Sequence, residues 1–219
     1  MPRSRRVIQP QNVYHLISRF VAGEYFIRGA DERREYFRLL GRALKESDWR
    51  CISYAIMSNH IHLAMLAGLQ PLAEWTRNAH TLFAEWINER NDRIGAVFTR
   101  GPKDFLVRPN GVAKVMGYIH RNPVRAGVVS DPRDTDWTSH AAYLGLVARP
   151  AWLDTAKGLE LAGFQSAEEM DEWVRATDID RETATKALVL PRRGRRPKSE
   201  QTKDAEARWS DPNFLDAAA

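Results

Sequence analysis

Apolar positions in the first 125 residues follow two periods, one typical of strands and the other typical of helices. Apolar and polar residues alternate over short stretches that predict strands, whereas apolar residues three to four apart predict amphipathic helices. The predicted strands are 12–20, 52–66 and 96–107, and the predicted helices are 31–47, 71–91 and 111–122. Pro123 removes a backbone donor, so we expect the third helix to end at Asn122. Because the strands are few and Gly101-Pro102 interrupts the last of them, this order favours an α+β fold with an antiparallel sheet over a parallel α/β fold.

The last third of the chain has a different character. Beyond Asp136 the pattern is helical, and Ser166 and Glu169 have the spacing of a capping box. Residues 191–203 carry six basic residues and one acidic residue, with almost nothing to bury. We therefore expect a folded domain at 1–148, a small helical extension at 149–190 and a disordered basic tail at 191–219.

Composition narrows the class of protein. Of the 219 residues, 43% are hydrophobic and 28% charged, which excludes wholesale disorder and a collagen-like chain. The net charge of +5 favours a polyanionic partner. A single cysteine, Cys51, rules out an internal disulfide and a cysteine-based zinc site. With no signal-peptide pattern and no run of eighteen apolar residues, we expect a cytoplasmic protein without a membrane segment.

Two histidines stand two positions apart in the predicted strand at 52–66. Alternate side chains of a strand share a face, so His60 and His62 point to one side while Ile61 and Leu63 point to the core. Two neutral imidazoles on a rigid strand can bind one divalent ion, but two ligands do not complete a site. The chain has six histidines, so chance occurrence of one such pair is an open alternative.

A second chemically suggestive segment is 117–129. Tyr118 and Asn122 are one helical turn apart, so a hydroxyl and an amide oxygen face the same point. Asparagine is a competent ligand for a hard cation, and tyrosine is a known covalent nucleophile. The alternative is a tyrosine packed in the core and an asparagine that ends a helix before proline. Tyr54 is a rival nucleophile on the predicted strand face of His60, about 20 Å away along the strand.

Positively charged residues predominate around this second segment. Residues 100–125 contain six lysines and arginines and one aspartate. Such an excess suits phosphate groups, although a solvated surface is the alternative. Because the basic stretch borders Tyr118, it favours substrate binding.

Together, the two segments resemble the single-tyrosine HUH transposases, and within them the REP-associated tyrosine transposases. Residues 57–63, Met-Ser-Asn-His-Ile-His-Leu, are similar to that family's strand of two histidines around a hydrophobic residue. Residues 118–127, Tyr-Ile-His-Arg-Asn-Pro-Val-Arg-Ala-Gly, are similar to its nucleophile helix. Both motifs in this order are more specific than either alone. The resemblance spans 9–127, continues in an aromatic-Ser segment at 136–145 and fades past Pro150.

The resemblance implies an RRM-like or ferredoxin-like antiparallel sheet flanked by helices, the HUH endonuclease fold, within 1–148. It implies a divalent metal, Mg²⁺ or Mn²⁺, at His60, His62 and Asn122, with Tyr118 as the nucleophile. The implied activity is metal-dependent single-stranded DNA cleavage and strand transfer through a 5′-phosphotyrosine intermediate, on palindromic or hairpin DNA in the nucleoid. Relatives include monomers and dimers, and the sequence does not decide between them. The candidate DNA contacts are Arg5, Arg6, Arg19, Lys103, Arg121, Arg125, Arg193 and Arg195.

Two other functions stay open on the sequence. One is a catalytically silent DNA-hairpin binding protein of the same fold. The other is a metal hydrolase with a water nucleophile, which needs a third strong ligand and a base, yet His15, His80 and His140 lie in unrelated sequence contexts. The chain also departs from its relatives at 99–105, where many carry an Arg-Phe pair. In the tail, 193–197 resembles an AT-hook-like arm for the minor groove.

Overall fold

A computed structural model describes residues 8–189 as one layer of strands between two layers of helices. The strands are Val13–Arg19 (β1), Arg50–Ile56 (β2), His60–Leu66 (β3), Lys103–Val107 (β4) and Leu188–Val189 (β5). The helices are Ala30–Lys45 (α1), Leu72–Arg90 (α2), Val112–His120 (α3), Asn122–Arg125 (α4), His140–Tyr143 (α5), Thr155–Ala162 (α6), Ala167–Ala176 (α7) and Arg181–Lys186 (α8). The predicted α+β class is confirmed.

All strand pairs in the described sheet are antiparallel, in the order β2-β3-β1-β4-β5. The chain order β1-α1-β2-β3-α2-β4 with this arrangement is the ferredoxin-like pattern, extended by β5 at the β4 edge. β1 and β3 therefore lie side by side in the middle of the sheet. The predicted antiparallel sheet flanked by helices is confirmed.

The two faces of the sheet are covered by different helices. On one face, Tyr54 of β2 packs against Phe37 of α1, with 5.0 Å between ring centroids. Trp75 of α2 packs against Trp49 on the same side, at 6.0 Å. The opposite face is covered by α3, whose Tyr118 ring lies 5.7 Å from the ring of His62 on β3. Since both faces are covered, every residue of β3 is buried, including the two histidines.

The single strand predicted at 52–66 is instead a hairpin of β2 and β3. The turn at 57–59 closes with the backbone N–H of Met57 donating to the carbonyl of His60 at 2.9 Å. Tyr54 is opposite Leu63 in the register, so it lies on the α1 face rather than the histidine face. The placement of Tyr54 with His60 is therefore wrong, because Ser58-Asn59 supplies a turn inside an otherwise continuous strand pattern.

Two further boundaries differ from the predicted ones. The third helix ends at His120, and α4 begins at Asn122 with Pro123 in its first turn, where the missing donor costs nothing. The predicted strand at 96–107 is ordered as a strand only over Lys103–Val107, preceded by an isolated bridge between Phe98 and Phe20.

The segment at 149–189, within the predicted helical extension, packs against the body of the fold. Its buried residues Met170, Val174 and Ile179 belong to the same hydrophobic cluster as the central sheet. β5 pairs with β4 through Leu106 opposite Val189 and Val107 opposite Leu188. Within the described residues, no helix has the length and apolarity needed to cross a membrane. The tail predicted at 191–219 lies outside the described residues.

Candidate functional site

Three histidines meet in the centre of the sheet, on the face covered by α3. β3 contributes His60 and His62, whose ring centroids are 4.7 Å apart. β1 contributes His15, whose ring lies 5.0 Å from that of His62. The antiparallel register places Arg19 opposite His60 and Ile17 opposite His62, so this cluster sits at the end of β1 that carries Arg19.

Hydrogen bonds restrict the tautomers of this cluster. Nδ1 of His60 donates to Oδ1 of Asn59 at 2.6 Å, which leaves the lone pair of a neutral His60 on Nε2. Nε2 of His15 and Nδ1 of His62 share one hydrogen bond of 2.9 Å. If His15 accepts that bond, the lone pair of His62 also lies on Nε2, an atom that has no hydrogen-bond partner among residues 8–189.

Burial keeps His15 and His62 neutral. The pKa of His15 falls to about 3, chiefly through burial and secondarily through the charge of His60. Burial also lowers the pKa of His62 well below its usual value, reinforced by His60, His15, Arg19 and Arg125. A neutral imidazole is the form that binds a metal, so His62 is ready as a ligand at neutral pH.

Tyr118 is brought against this cluster by α3. Its ring is fully buried, 5.7 Å from the ring of His62 and 6.2 Å from that of His15. The guanidinium carbon of Arg125 lies 5.0 Å from the centre of the Tyr118 ring, on α4 just beyond. The predicted nucleophile and the predicted histidine ligands are therefore neighbours, although they are nearly sixty residues apart in the chain.

The donor atoms that His60, His62 and Asn122 carry are of types that suit a divalent ion. Asn122 is buried at the start of α4, and its Nδ2 has no hydrogen-bond partner in the part of the chain that the structure describes. Two imidazoles and an amide oxygen are ligands that Mn²⁺ accepts readily, and the oxygen suits Mg²⁺. Among residues 8–189, no group of three or more His, Cys, Asp or Glu side chains could hold a metal ion. His15 thus adds a hydrogen bond to the cluster rather than a third strong ligand.

Positive charge lies beside the histidines. Lys103 of β4 is opposite Ile17 in the register, and Arg19 is two residues along β1. The pKa of Lys103 falls to about 8 through partial burial and the nearby charges of Arg19 and Arg100. Two of the predicted DNA contacts, Arg19 and Lys103, therefore lie on the candidate site.

The other predicted DNA contacts are placed differently. Nη1 of Arg121 donates to the carbonyl of Val174 at 3.1 Å, and Nη1 of Arg125 donates to that of Ile179 at 3.3 Å. Arg121 thus holds the last turn of α7, and Arg125 holds the chain after α7, against the end of α3 and the start of α4. The remaining predicted contacts, Arg5, Arg6, Arg193 and Arg195, lie outside the described residues.

Two residues of the cluster were missed by the sequence patterns. The prediction that His15 lies in a context unrelated to the histidine pair is wrong, since β1 and β3 pair over their full length. Asn59, which orients His60, was visible in the sequence only as part of the quoted histidine motif. The turn propensity of Ser58-Asn59 was the available signal for its position.

Comparison with known proteins identifies a similar fold. No protein-family model matches the chain, and no curated protein matches its sequence. Among solved structures it is similar to a REP-associated tyrosine transposase bound to a REP hairpin, with a TM-score of 0.55 over 71% of this chain and 93% of the other. The two sequences are 12% identical. At that identity the likeness concerns the fold, and this chain has the fold of a REP-associated tyrosine transposase.

Proposed function

We propose that the protein is a metal-dependent single-stranded DNA endonuclease and strand-transferase that acts on palindromic or hairpin DNA through Tyr118. The observation that carries the proposal is the contact between the Tyr118 ring and the buried His62 on the central strand, 5.7 Å between centroids. The fold shared with a transposase bound to a REP hairpin supports DNA as the partner.

In this proposal His60, His62 and Asn122 hold Mg²⁺ or Mn²⁺. When bound, the ion would supply charge stabilisation at the scissile phosphate. Asn59 orients His60 through their 2.6 Å hydrogen bond, and His15 orients His62. Arg19 and Lys103 add positive charge for the phosphates on either side.

The reaction we propose is a transesterification. The hydroxyl oxygen of Tyr118 attacks the phosphorus, and the bond from phosphorus to the 3′ oxygen breaks. The proton lost by tyrosine balances the one that the 3′ oxygen gains as it becomes a hydroxyl. The product is a 5′-phosphotyrosine, in which the phosphodiester energy is retained. Attack by another 3′-hydroxyl reverses the step and joins strands, so no nucleotide cofactor is needed.

A second function is supported by one observation. Tyr118 is fully buried, and Arg125, held by the carbonyl of Ile179, lies over its ring. Cleavage therefore requires this arginine and the chain after α7 to yield when DNA binds. A protein in which they do not yield would be a DNA-hairpin binding protein of the same fold without turnover.

The deciding experiment mixes the protein with labelled single-stranded oligonucleotides from palindromic repeats near its own gene, with Mg²⁺, Mn²⁺ or EDTA. We expect a metal-dependent protein–DNA band that survives a denaturing gel and is absent in Tyr118→Phe, which removes only the attacking oxygen. An undiminished band in that variant would refute the assignment of Tyr118. A native-gel shift without any covalent band would favour the binding protein.

A further inference from the structure

The break between α3 and α4 falls between the proposed nucleophile and a proposed metal ligand. α3 ends at His120, which lies two residues after Tyr118 and two before Asn122. Side chains two positions apart on a helix point in nearly opposite directions. Accordingly, the Tyr118 ring packs against His62, whereas the His120 ring packs against His140 at 5.0 Å between centroids. His120 therefore contacts the part of the fold that lies behind the candidate site.

His120 is connected on one side to the edge strand β2. Its Nε2 lies 2.8 Å from Oγ of Ser139. That oxygen accepts a hydrogen bond from the backbone N–H of Tyr54 at 3.0 Å, and the backbone N–H of Ser139 donates to the carbonyl of Tyr54 at the same distance. Ser139 is thus attached to β2, and its hydroxyl can donate to His120. It belongs to the aromatic-Ser segment at 136–145, to which the proposed function gives no role.

On its other side, His120 is connected to α7 in the C-terminal helical extension. Its Nδ1 lies 3.2 Å from Nδ1 of His140, and Nε2 of His140 lies 2.9 Å from Oδ1 of Asp171. A carboxylate only accepts hydrogen bonds, so His140 donates to Asp171 and accepts from His120. Nη1 of Arg175 lies 3.5 Å from the other oxygen of that carboxylate. The four side chains form one series, Ser139–His120–His140–Asp171, which we call the His120 series.

The His120 series is buried along its whole length. Ser139, His120 and His140 are 0% exposed, and Asp171 is 8% exposed. Because a shift of any member would leave a polar group buried without a partner, such a series holds its members in one arrangement. A serine with histidine and a carboxylate is also the make-up of a hydrolase triad, but a buried hydroxyl does not reach a substrate. The arrangement is therefore suited to holding α3 rather than to attacking a substrate.

We propose that the His120 series is a positioning device, which fixes α3 at its break and thereby holds Tyr118 and Asn122 in place for cleavage. The inference rests on the proposed function and deepens it, because it gives the segment at 136–145 and α7 a role in the reaction. Since the His120 ring points away from Tyr118, the series acts through the placement of the tyrosine. A misplacement of about 1 Å can slow an enzymatic reaction about a hundredfold.

The test separates the reaction rate from DNA affinity. His140→Phe keeps a ring and removes both hydrogen bonds, whereas His140→Gln keeps a donor for Asp171. We measure the single-turnover rate of covalent band formation at saturating hairpin DNA with Mn²⁺, and hairpin affinity by anisotropy in the Tyr118→Phe background. We expect His140→Phe to slow the reaction about tenfold or more with affinity within about twofold, and His140→Gln to recover most of the rate.

Tyr36→Phe serves as the matched control. It removes a buried hydroxyl that lies 3.3 Å from Nε2 of His80, on the face of the sheet that α1 and α2 cover, and it should leave the rate unchanged. Asp171→Leu removes the acceptor at the far end of the series and provides the same test where His140→Phe does not fold. An undiminished rate in the folded variants of the series, or an equal loss in Tyr36→Phe, overturns the positioning role.

A measurement on the protein without DNA keeps this inference separate from the proposed function. We expect the backbone amides of residues 112–125 to exchange with deuterium faster in His140→Phe than in the unmodified protein, while those of β1 and β3 keep their rates. If the unmodified protein forms no covalent band, the proposed function fails, yet faster exchange at 112–125 still supports the hold on α3. Unchanged exchange at 112–125 overturns that hold.

Discussion

At the scale of single residues, the candidate site depends on which ring nitrogen carries the proton. Asn59 accepts from Nδ1 of His60, and His15 shares a hydrogen bond with Nδ1 of His62. Both interactions involve Nδ1 of the ring. They therefore determine whether Nε2 carries a proton or a lone pair. Partners of this kind tune metal affinity without touching the metal.

Replacement of Asn59 tests this orientation. Asn59→Ala removes the carbonyl that accepts from His60, so His60 can adopt the other tautomer or rotate. We expect the affinity for Mn²⁺, measured by isothermal titration calorimetry, to fall by about tenfold or more. Ser58→Ala, in the same turn, serves as the control and should leave the affinity unchanged. Equal affinities in both variants would mean that Asn59 does not orient a ligand.

Lys103 should make DNA binding depend on pH. Partial burial, with Arg19 and Arg100 nearby, lowers the pKa of Lys103 to about 8. Since only the protonated amine attracts phosphate, we expect DNA affinity to decrease as the pH rises from 7 to 9, measured by anisotropy in the Tyr118→Phe background. Lys103→Arg retains its charge over that range and should flatten the profile. The same decrease in both proteins would exclude Lys103 as its source.

At the scale of elements, a buried series of hydrogen bonds connects α3 to the C-terminal helices. Nε2 of His120 and Oγ of Ser139 are 2.8 Å apart, and the Nδ1 atoms of His120 and His140 are 3.2 Å apart. Nε2 of His140 lies 2.9 Å from Oδ1 of Asp171 on α7. With Asp171 ionised, His140 donates to it, His120 donates to His140, and Ser139 donates to His120. Each imidazole nitrogen in this series therefore has a hydrogen-bond partner.

Gly117 allows the close approach between α3 and the segment after α7. A Cβ built at Gly117 would overlap Cδ1 of Ile179 and would lie 2.9 Å from Cζ3 of Trp173. We expect Gly117→Ala to lower the free energy of unfolding by about 1–3 kcal/mol, measured in urea, because α3 must move away from Ile179 and Trp173. Combining it with Ile179→Ala should be less harmful than the sum of the two single changes. Lys114→Ala, exposed on the same helix, should have little effect, and an equally mild Gly117→Ala would contradict the tight packing.

At the scale of the whole molecule, buried neutral histidines should make the fold sensitive to acid. Burial lowers the pKa of His15 to about 3 and that of His80 to about 4, and also lowers the pKa values of His62, His120 and His140. Unfolding returns each to a pKa near 6.5, so the unfolded state binds more protons below that pH. Stability is then fully present above pH 6.5 and is lost as the pH falls towards the folded-state values.

Urea unfolding at pH 7.5, 6.5, 5.5 and 4.5 measures this loss. Each such histidine contributes a slope of up to about 1.4 kcal/mol per pH unit below 6.5. His80→Gln removes one titrating group outside the tyrosine site and should reduce the slope by about that amount. A free energy of unfolding that is constant from pH 7.5 to 4.5 would show that these histidines are protonated in the folded protein.

Much of this architecture followed from local pattern. The strand at β1 and the helices α1 and α2 were predicted within a few residues, because their apolar positions repeat with the period of the element. The hairpin of β2 and β3 was not, because a two-residue polar turn interrupts the alternation too briefly to register as a break. β5 contains two residues, too few for any period to be visible.

The sequence by itself determined the α+β class, the helices α1 and α2, and the two motifs that contain His60, His62 and Tyr118. These features depend on neighbours within a few positions along the chain, which is the range over which side-chain periodicity acts. Only the tertiary structure decided that His15 joins His62 and that the Tyr118 ring packs against both of them. Those contacts join residues that are far apart in the chain, and strand register and helix packing alone bring them together.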